Sequence, residues 1–106
     1  MMAKLLRDSG YRVDTVDHGE AALAALRGGT FDSIITDMYL PGCDGIELIL
    51  KVRERDPAVR IVAISADPSS LEILRMAAHL GATATLAKPF TAGALLDTLT
   101  RVLSCP

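Results

Sequence analysis

The sequence predicts an α/β domain in which a doubly wound parallel sheet carries helices on both faces. Two periodicities alternate along its 106 residues. Stretches with apolar residues every three or four positions are typical of helices, and short apolar stretches are typical of strands. The connections are short, and strict alternation of strands with helices favours a parallel sheet. In addition, the consecutive apolar residues Ile61–Ile64 indicate a strand that is buried on both faces.

Five helices are predicted from apolar periodicity and from signals at their ends. Gly10 and Gly81 stand where glycine commonly ends a helix. Asp44 and Glu47 have the spacing of a capping box, in which each side chain satisfies a free N–H at the start of a helix. The predicted helices are Met1–Ser9, Gly19–Arg27, Gly45–Arg55, a helix from Asp67-Pro68 to about Leu80, and a last helix capped by Thr91.

Four strands are predicted between these helices. Tyr11, Val13 and Thr15 alternate with polar residues, which is typical of a half-exposed strand. The remaining three stretches are short and largely apolar, so they are expected to be more deeply buried. The predicted strands are Tyr11–Thr15, Ser33–Asp37, Arg60–Ser65 and Thr83–Ala87.

The composition excludes several classes of function. A hydrophobic fraction of 50% predicts a folded core, and a net charge of −2 offers no basic surface for nucleic acid. The longest apolar run, Ala21–Leu26, is too short to span a membrane. Cys43 and Cys105 lie far apart, and Met1–Asp8 lacks the long apolar stretch that is typical of a signal peptide, so we expect reduced thiols in the cytoplasm. We therefore expect one cytoplasmic domain over residues 1–106, with neither nucleic acid nor membrane as a partner.

Candidate functional residues follow the strands, because ligands of doubly wound sheets bind at the carboxyl ends of the strands. Asp37, Ser65 and Lys88 stand at three such ends and would converge if their strands are neighbours. Aspartate can form an aspartyl phosphate, while a hydroxyl and an ammonium group can stabilise phosphoryl oxygens. Taken singly, each residue is better explained as a capping side chain or a surface charge. The combination favours phosphoryl chemistry.

Three motifs together resemble the receiver domain of two-component response regulators. The resemblance runs from Met1 to about Leu103. Asp37–Gly45 resembles the phosphoacceptor loop of the family, with a proline four residues and a glycine eight residues after the aspartate. Ile61–Ala66 is similar to the strand that ends in a switch serine or threonine, and Lys88-Pro89-Phe90 is like the Lys-Pro-Phe motif of the family.

The resemblance implies a flavodoxin-like fold and a signalling role, without enzymatic activity on other substrates. By resemblance, Asp37 would accept a phosphoryl group from a histidine kinase or phosphotransfer protein. Ser65 would move towards that group, and Lys88 would pair with it. The main-chain carbonyl of Tyr39 would help Asp37 to hold Mg²⁺, and the Lys88–Pro89 bond would be cis. The surface of the fourth helix, last strand and last helix would report the phosphorylation state.

The chain departs from the family at its start. Receiver domains begin with a strand that ends in an acidic pair, which holds Mg²⁺, and the family strand order 2-1-3-4-5 places this strand in the middle of the sheet. The present chain starts within what would be the first helix. We therefore expect an N-terminally truncated domain with four strands instead of five, weak or absent Mg²⁺ binding and impaired phosphorylation. Asp17 is the nearest substitute for the acids, although helix capping also explains it.

A missing central strand would leave its two neighbours with unpaired edges. Tyr11–Thr15 and Ser33–Asp37 could pair directly, a second copy could cover the gap in a homodimer, or residues upstream could belong to the natural protein.

Two further features bear on function. Many receivers carry Tyr or Phe three residues before the lysine, whereas this chain has Thr85 there. An alternative is therefore a pseudo-receiver, an interaction or dimerisation module that works without phosphorylation. The sequence lacks the glycine-rich and nucleophile-elbow patterns of nucleotide-binding domains and small α/β enzymes.

Overall fold

The computed structural model describes residues 2–16, 19–40, 43–65 and 71–104, which form an α/β structure with helices on both faces of a parallel sheet. The helices are α1 (Met2–Asp8), α2 (Gly19–Gly28), α3 (Gly45–Arg55), α4 (Leu71–Leu80) and α5 (Ala92–Ser104). The strands are β1 (Ser33–Asp37), β2 (Tyr39–Leu40), β3 (Cys43–Asp44), β4 (Arg60–Ser65) and β5 (Ala84–Ala87).

The main sheet has the order β1-β4-β5, and both pairs of strands are parallel. Asp37 of β1 lies opposite Ile64 of β4, and Ser65 of β4 lies opposite Ala87 of β5. Because the strands are parallel and nearly level, their carboxyl ends form one edge of the sheet. The predicted doubly wound α/β class is confirmed.

The central strand β4 separates two apolar layers. Ile61 and Ala63 belong to a core with residues of α2, α3 and α4, whereas Val62 belongs to a core with residues of α1 and α5. Burial of a valine or isoleucine side chain contributes about 1.5–3 kcal/mol, so packing on both faces of β4 stabilises the sheet. Burial on both faces explains the continuous apolar run that predicted this strand.

The predicted helix ends are largely confirmed. Gly10 and Gly81 have φ angles of 100° and 132°, a region that only glycine adopts without strain. The N–H of the residue after each glycine donates to a carbonyl five residues earlier, which closes the helix end. Thr91 caps α5, because its Oγ1 accepts the N–H of Ala94 at 3.0 Å. The predicted start of the fourth helix at Pro68 lies outside the described residues.

The predicted strand Tyr11–Thr15 is wrong. Residues 11–16 belong to no strand, and the main sheet has three strands within the described part of the chain. The predicted alternation of exposure is present over residues 11–14, since Tyr11 and Val13 are half-buried while Arg12 and Asp14 are exposed, but it ends at Thr15, which is exposed. Alternation of apolar and polar residues predicts which side chains are buried. A strand also needs a neighbouring strand with which its main chain can form hydrogen bonds.

A cavity of about 980 Å³ separates residues 11–16 from β1. Its walls come from α1 and α5 on one side and from α2 and α3 on the other. Direct pairing of residues 11–15 with β1, one of the possibilities raised by the sequence, therefore does not occur. We refer to this cavity as the edge groove. Among the described residues, no helix has the length and apolar character needed to cross a membrane.

Candidate functional site

The candidate site lies where the three parallel strands end. Asp37 is the last residue of β1, Ser65 is the last residue of β4, and Lys88 directly follows β5. Since β4 lies between β1 and β5, the order of the sheet places Ser65 between the ends that carry the other two residues. The structure thus brings together all three residues that the sequence singled out.

Asp37 and Lys88 form an ion pair across the end of β4. Lys88 Nζ donates to Asp37 Oδ2 at 3.1 Å. The side chains are 31% and 40% exposed, so water screens the attraction and the pair contributes at most about 1 kcal/mol to stability. The carboxylate is therefore held next to a cation while a reactant from solvent can still reach it.

Ser65 is fully buried and is connected to Lys88 through the main chain. The N–H of Lys88 donates to the carbonyl of Ser65 at 2.7 Å, which continues the β4–β5 pairing past the end of β5. Because of this bond, Lys88 leaves the sheet directly beside Ser65.

The segment after Lys88 is anchored to the core. The Lys88–Pro89 peptide bond is cis, as the resemblance implied. Phe90 is half-buried and packs against the core formed by α1 and α5. The Lys-Pro-Phe motif thus joins the site to the start of α5.

The main chain after Asp37 is held between β4 and α3 by Met38. The N–H of Met38 donates to the carbonyl of Ile64 at 2.8 Å, and its carbonyl accepts the N–H of Gly45 at 3.2 Å. The Met38 side chain is 1% exposed and belongs to the core with α2, α3 and α4. Sequence reasoning missed this anchor, because Met38 falls between the predicted strand, which ends at Asp37, and the predicted loop, which begins at Leu40.

Gly45 is required by a close approach of two main-chain segments. A Cβ atom at this position would lie 2.6 Å from Met38 Cα and 2.7 Å from Met38 O, far inside van der Waals contact. This contact gives a physical reason for a glycine eight residues after Asp37. The spacing was visible in the sequence, whereas its cause was not.

The loop after Asp37 is more regular than predicted. A loop was expected over residues 40–43, but β2 and β3 pair in antiparallel fashion, with Tyr39 opposite Asp44 and Leu40 opposite Cys43. Tyr39, two residues after Asp37, therefore lies in a strand next to the hydrogen bond between Met38 and Gly45.

The residues described around the site offer few ligands for a metal ion. No group of three or more His, Cys, Asp or Glu side chains that could hold a metal occurs within the described ranges. The Asp37 carboxylate and the Tyr39 carbonyl are oxygen donors, which suit Mg²⁺, and Mg²⁺ often keeps several waters beside one or two carboxylates. Asp17, the predicted substitute acid, lies outside the described residues.

Thr85 lies on β5, three residues before Lys88, and is exposed. Its neighbours Ala84 and Leu86 are half-buried and pack against the core of α1 and α5. The outer face of β5 therefore presents a small polar side chain where many receivers have an aromatic ring.

The fold and the site define a flavodoxin-like α/β protein with a carboxylate, a buried serine and an ammonium group at the carboxyl edge of its sheet. The family model for the response regulator receiver domain matches residues 1–100. The chain belongs to the response regulator receiver domain family.

Individual proteins agree with this assignment. The chain is 33% identical over 116 residues to the sensory/regulatory protein RpfC of Xanthomonas campestris, covering 100% of this chain and 16% of that protein. It is 33% identical over 105 residues to the chemotaxis protein CheY-3 of Vibrio cholerae, covering 96% of this chain and 80% of that protein. The crystal structure of the NtrX receiver domain from Brucella abortus has a TM-score of 0.94 at 28% identity and covers 99% of this chain and 88% of that chain.

These relatives establish the coarse function. Receiver domains are signalling modules of two-component systems that interact with histidine kinases or phosphotransfer proteins. The chain spans about a sixth of the length of the RpfC protein that it matches.

Proposed function

We propose that this domain is the phosphoacceptor of a two-component relay and that Asp37 accepts the phosphoryl group. The observation that carries the proposal is the part-exposed Asp37 carboxylate, held 3.1 Å from the Lys88 ammonium group at the carboxyl edge of the sheet. The donor is a phosphohistidine of a histidine kinase or phosphotransfer protein, which is the partner class of the family.

The reaction is a transfer between two nucleophiles. An oxygen of the Asp37 carboxylate attacks phosphorus and forms an O–P bond, while the P–N bond to the donor histidine breaks and its nitrogen keeps the electron pair. Lys88 stabilises the negative charge that gathers on the phosphoryl oxygens. Because phosphorylation removes the negative charge of the Asp37 carboxylate, Lys88 then pairs with the phosphoryl group instead.

Ser65 couples this event to the rest of the domain. Its hydroxyl donates to a phosphoryl oxygen after a small side-chain movement, as the family resemblance implies. Its carbonyl is bonded to the N–H of Lys88, so both residues move together at the end of β5. The outer surface of α4, β5 and α5 reports the change, without an aromatic ring at Thr85.

Asp37 and the carbonyl of Tyr39 would hold Mg²⁺, which supplies positive charge to the phosphoryl oxygens when it is bound. With two protein donors, we expect weak binding of the metal ion and slow phosphorylation. A pseudo-receiver that binds its partner without phosphorylation is the second candidate, favoured by this small donor set and by Thr85.

Intact mass spectrometry tests the proposal. The domain is incubated with Mg²⁺ and a small acyl phosphate, beside Asp37→Asn and the matched control Asp32→Asn, which changes an exposed aspartate just before β1. We expect one added phosphoryl group in the unaltered domain and in Asp32→Asn, and none in Asp37→Asn. If the unaltered domain gains no mass even at high Mg²⁺ concentration, the phosphoacceptor role is wrong.

The pseudo-receiver alternative predicts a different result. Partner binding would then be the same for Asp37→Ala and for the unaltered domain, whether or not a phosphodonor is present. Phosphodonor-dependent binding that is lost in Asp37→Ala would instead support the relay.

A further inference from the structure

The two ends of α4 lie at opposite edges of the sheet. The helix begins at Leu71, after β4 has ended at Ser65, and it ends at Leu80, before β5 begins at Ala84. Because β4 and β5 are parallel, the helix that joins them starts at the carboxyl edge and ends at the edge where the strands begin, here called the amino edge. A change at Ser65 therefore reaches α4 at its first turn.

The side chain of Ser65 lies on the face of the sheet against which α4 packs. Ile61 and Ala63 belong to the core that also contains Ala77 of α4. Alternate residues of a strand share a face, so Ser65, two residues after Ala63, lies on this face as well. Ser65 is fully buried, and a change in the position or size of its side chain must displace its neighbours.

The end of α4 is held at the amino edge by Arg53 of α3. Its Nε and Nη2 donate to the carbonyl of Gly81, at 2.9 and 2.7 Å, and its Nη1 donates to the carbonyl of Val59 in the turn before β4. Hydrogen bonds from a charged donor are roughly twice as strong as those between neutral groups. One guanidinium therefore ties the ends of two helices to the start of β4.

Arg53 also covers the main chain of Gly81. A Cβ atom at Gly81 would lie 2.9 Å from Cγ and 3.0 Å from Nε of Arg53. The side chain of Arg53 is thus in direct contact with the glycine, so van der Waals contact as well as hydrogen bonding opposes a displacement of this point.

Thr83 connects the same point to the sheet. Its N–H donates to the carbonyl of Ile61 at 2.7 Å, and its Oγ1 accepts the N–H of Ile61 at 3.0 Å. Nη2 of Arg53 approaches the same Oγ1 at 3.4 Å. Residues 81–83 are therefore bonded both to α3 and to β4. We refer to Arg53 and residues 81–83 together as the amino-edge clamp.

We propose that the amino-edge clamp is a fixed hinge point about which α4 tilts when Ser65 moves. Arg53 is then a positioning residue for the signal. The ten residues of α4 span about 15 Å, and in a rigid tilt the displacement grows with distance from the hinge point. The conformational signal is thereby confined to the part of α4 near the carboxyl edge. The inference rests on the proposed function for its trigger, whereas the clamp acts without a phosphoryl group.

The first test displaces the end of β4 without phosphate. Ser65→Thr keeps the hydroxyl and adds one methyl group at a fully buried position, so its neighbours must shift. Amide hydrogen exchange is compared at Arg75, half-way along α4, and at Ala82 and Thr83, whose N–H groups donate to main-chain carbonyls at 2.9 and 2.7 Å. We expect the exchange rate to change about threefold or more at Arg75 and to stay unchanged at Ala82 and Thr83. Urea denaturation of each variant corrects the rates for any change in global stability.

Arg53→Gln tests whether the clamp limits the signal. Glutamine lacks the charge and the five donors of the guanidinium, so the hinge point is no longer fixed. In this background Ser65→Thr should change exchange at Ala82 and Thr83 about threefold or more. A purely structural Arg53 would alter these rates by the same factor with and without Ser65→Thr, so non-additive effects separate the two roles. Arg55→Gln, which changes an exposed arginine at the end of the same helix, is the control and should leave the Ser65→Thr pattern unchanged.

A second pair of variants serves if Arg53→Gln does not fold. Thr83→Val removes the hydroxyl that lies between Arg53 and the N–H of Ile61, whereas Thr83→Ser keeps it. Thr83→Val should therefore let the effect of Ser65→Thr reach Ala82, and Thr83→Ser should not.

Phosphorylation of Asp37 provides the last comparison. In a sample that intact mass shows to carry one phosphoryl group per molecule, exchange should change at Arg75 and stay unchanged at Ala82 and Thr83. A domain that gains no mass contradicts the proposed function, and the Ser65→Thr comparison then decides about the hinge by itself. The hinge is overturned if Ser65→Thr changes exchange at Ala82 and Thr83 as much as at Arg75, if it changes none of the three, or if its effect adds to that of Arg53→Gln.

Discussion

At the scale of the residue, the chemistry of Asp37 depends on neighbours whose own roles are structural. Lys88 provides the opposing charge, while Met38 and Gly45 hold the main chain that follows the carboxylate. The exposed ion pair contributes little to stability, whereas the buried main-chain contacts contribute more. The charge opposite Asp37 therefore comes from Lys88, whereas the position of the main chain comes from Met38 and Gly45.

Replacement of Gly45 by alanine tests the contact that holds the main chain after Asp37. A Cβ at Gly45 would meet the main chain of Met38 at 2.6 Å, so the two segments must separate. We expect Gly45→Ala to lower the free energy of unfolding by about 1–3 kcal/mol, measured by urea denaturation. Gly93→Ala is the matched control, because a Cβ there would only reach Thr91 Oγ1 at 3.9 Å. Equal losses in both variants would contradict the role given to Gly45.

Replacement of Lys88 by alanine tests the contribution of the positive charge next to Asp37. Lys88→Ala removes the cation 3.1 Å from Asp37 Oδ2, so the rate of Asp37 phosphorylation should fall about tenfold or more, while stability changes by about 1 kcal/mol or less. Phosphorylation is followed by intact mass and stability by urea denaturation. Lys51→Ala, on the exposed face of α3, is the control. An unchanged phosphorylation rate in Lys88→Ala would contradict its proposed role.

At the scale of the element, Arg53 of α3 connects its helix to the turn before β4 and to the end of α4, which precedes β5. Its Nε and Nη2 donate to the carbonyl of Gly81 at the end of α4, at 2.9 and 2.7 Å. Its Nη1 donates to carbonyls of Pro57 and Val59 in the turn before β4. One half-buried guanidinium thus satisfies carbonyls at the ends of two elements.

A conservative substitution at Arg53 separates geometry from charge. Arg53→Lys keeps the charge but replaces a planar, five-donor group by a single ammonium, which cannot span these carbonyls. We expect the free energy of unfolding to fall by about 1.5–3 kcal/mol. Arg55→Lys, exposed at the end of the same helix, should change it by about 0.5 kcal/mol or less. Thermal or urea denaturation of both variants distinguishes the outcomes, and a neutral Arg53→Lys would be inconsistent with this network.

At the scale of the whole molecule, two apolar cores meet at β4, while the groove interrupts them beside β1. Because Ile61 and Ala63 of β4 belong to one core and Val62 belongs to the other, the helices on both faces of the sheet pack against the same strand.

Much of this molecule was predictable from local patterns. The bounds of β1, β4 and α3 agree with those expected, because apolar periodicity and capping residues act over a few positions. The approach of Asp37, Ser65 and Lys88 followed from the rule that parallel strands end at one edge. The failure at residues 11–15 has a different cause, since alternation is a property of one segment and pairing is a property of two.

The sequence by itself determined the α/β class, the positions of the helices and inner strands, and the three residues that converge at the carboxyl edge. Only the tertiary structure decided that residues 11–16 stay unpaired, that Met38 anchors the loop beside Gly45, and that a groove lines the outer edge of β1. The physical reason is distance along the chain. Helices and buried strands are specified by neighbours a few residues apart, whereas pairing, close approach and cavities depend on segments that meet only after folding.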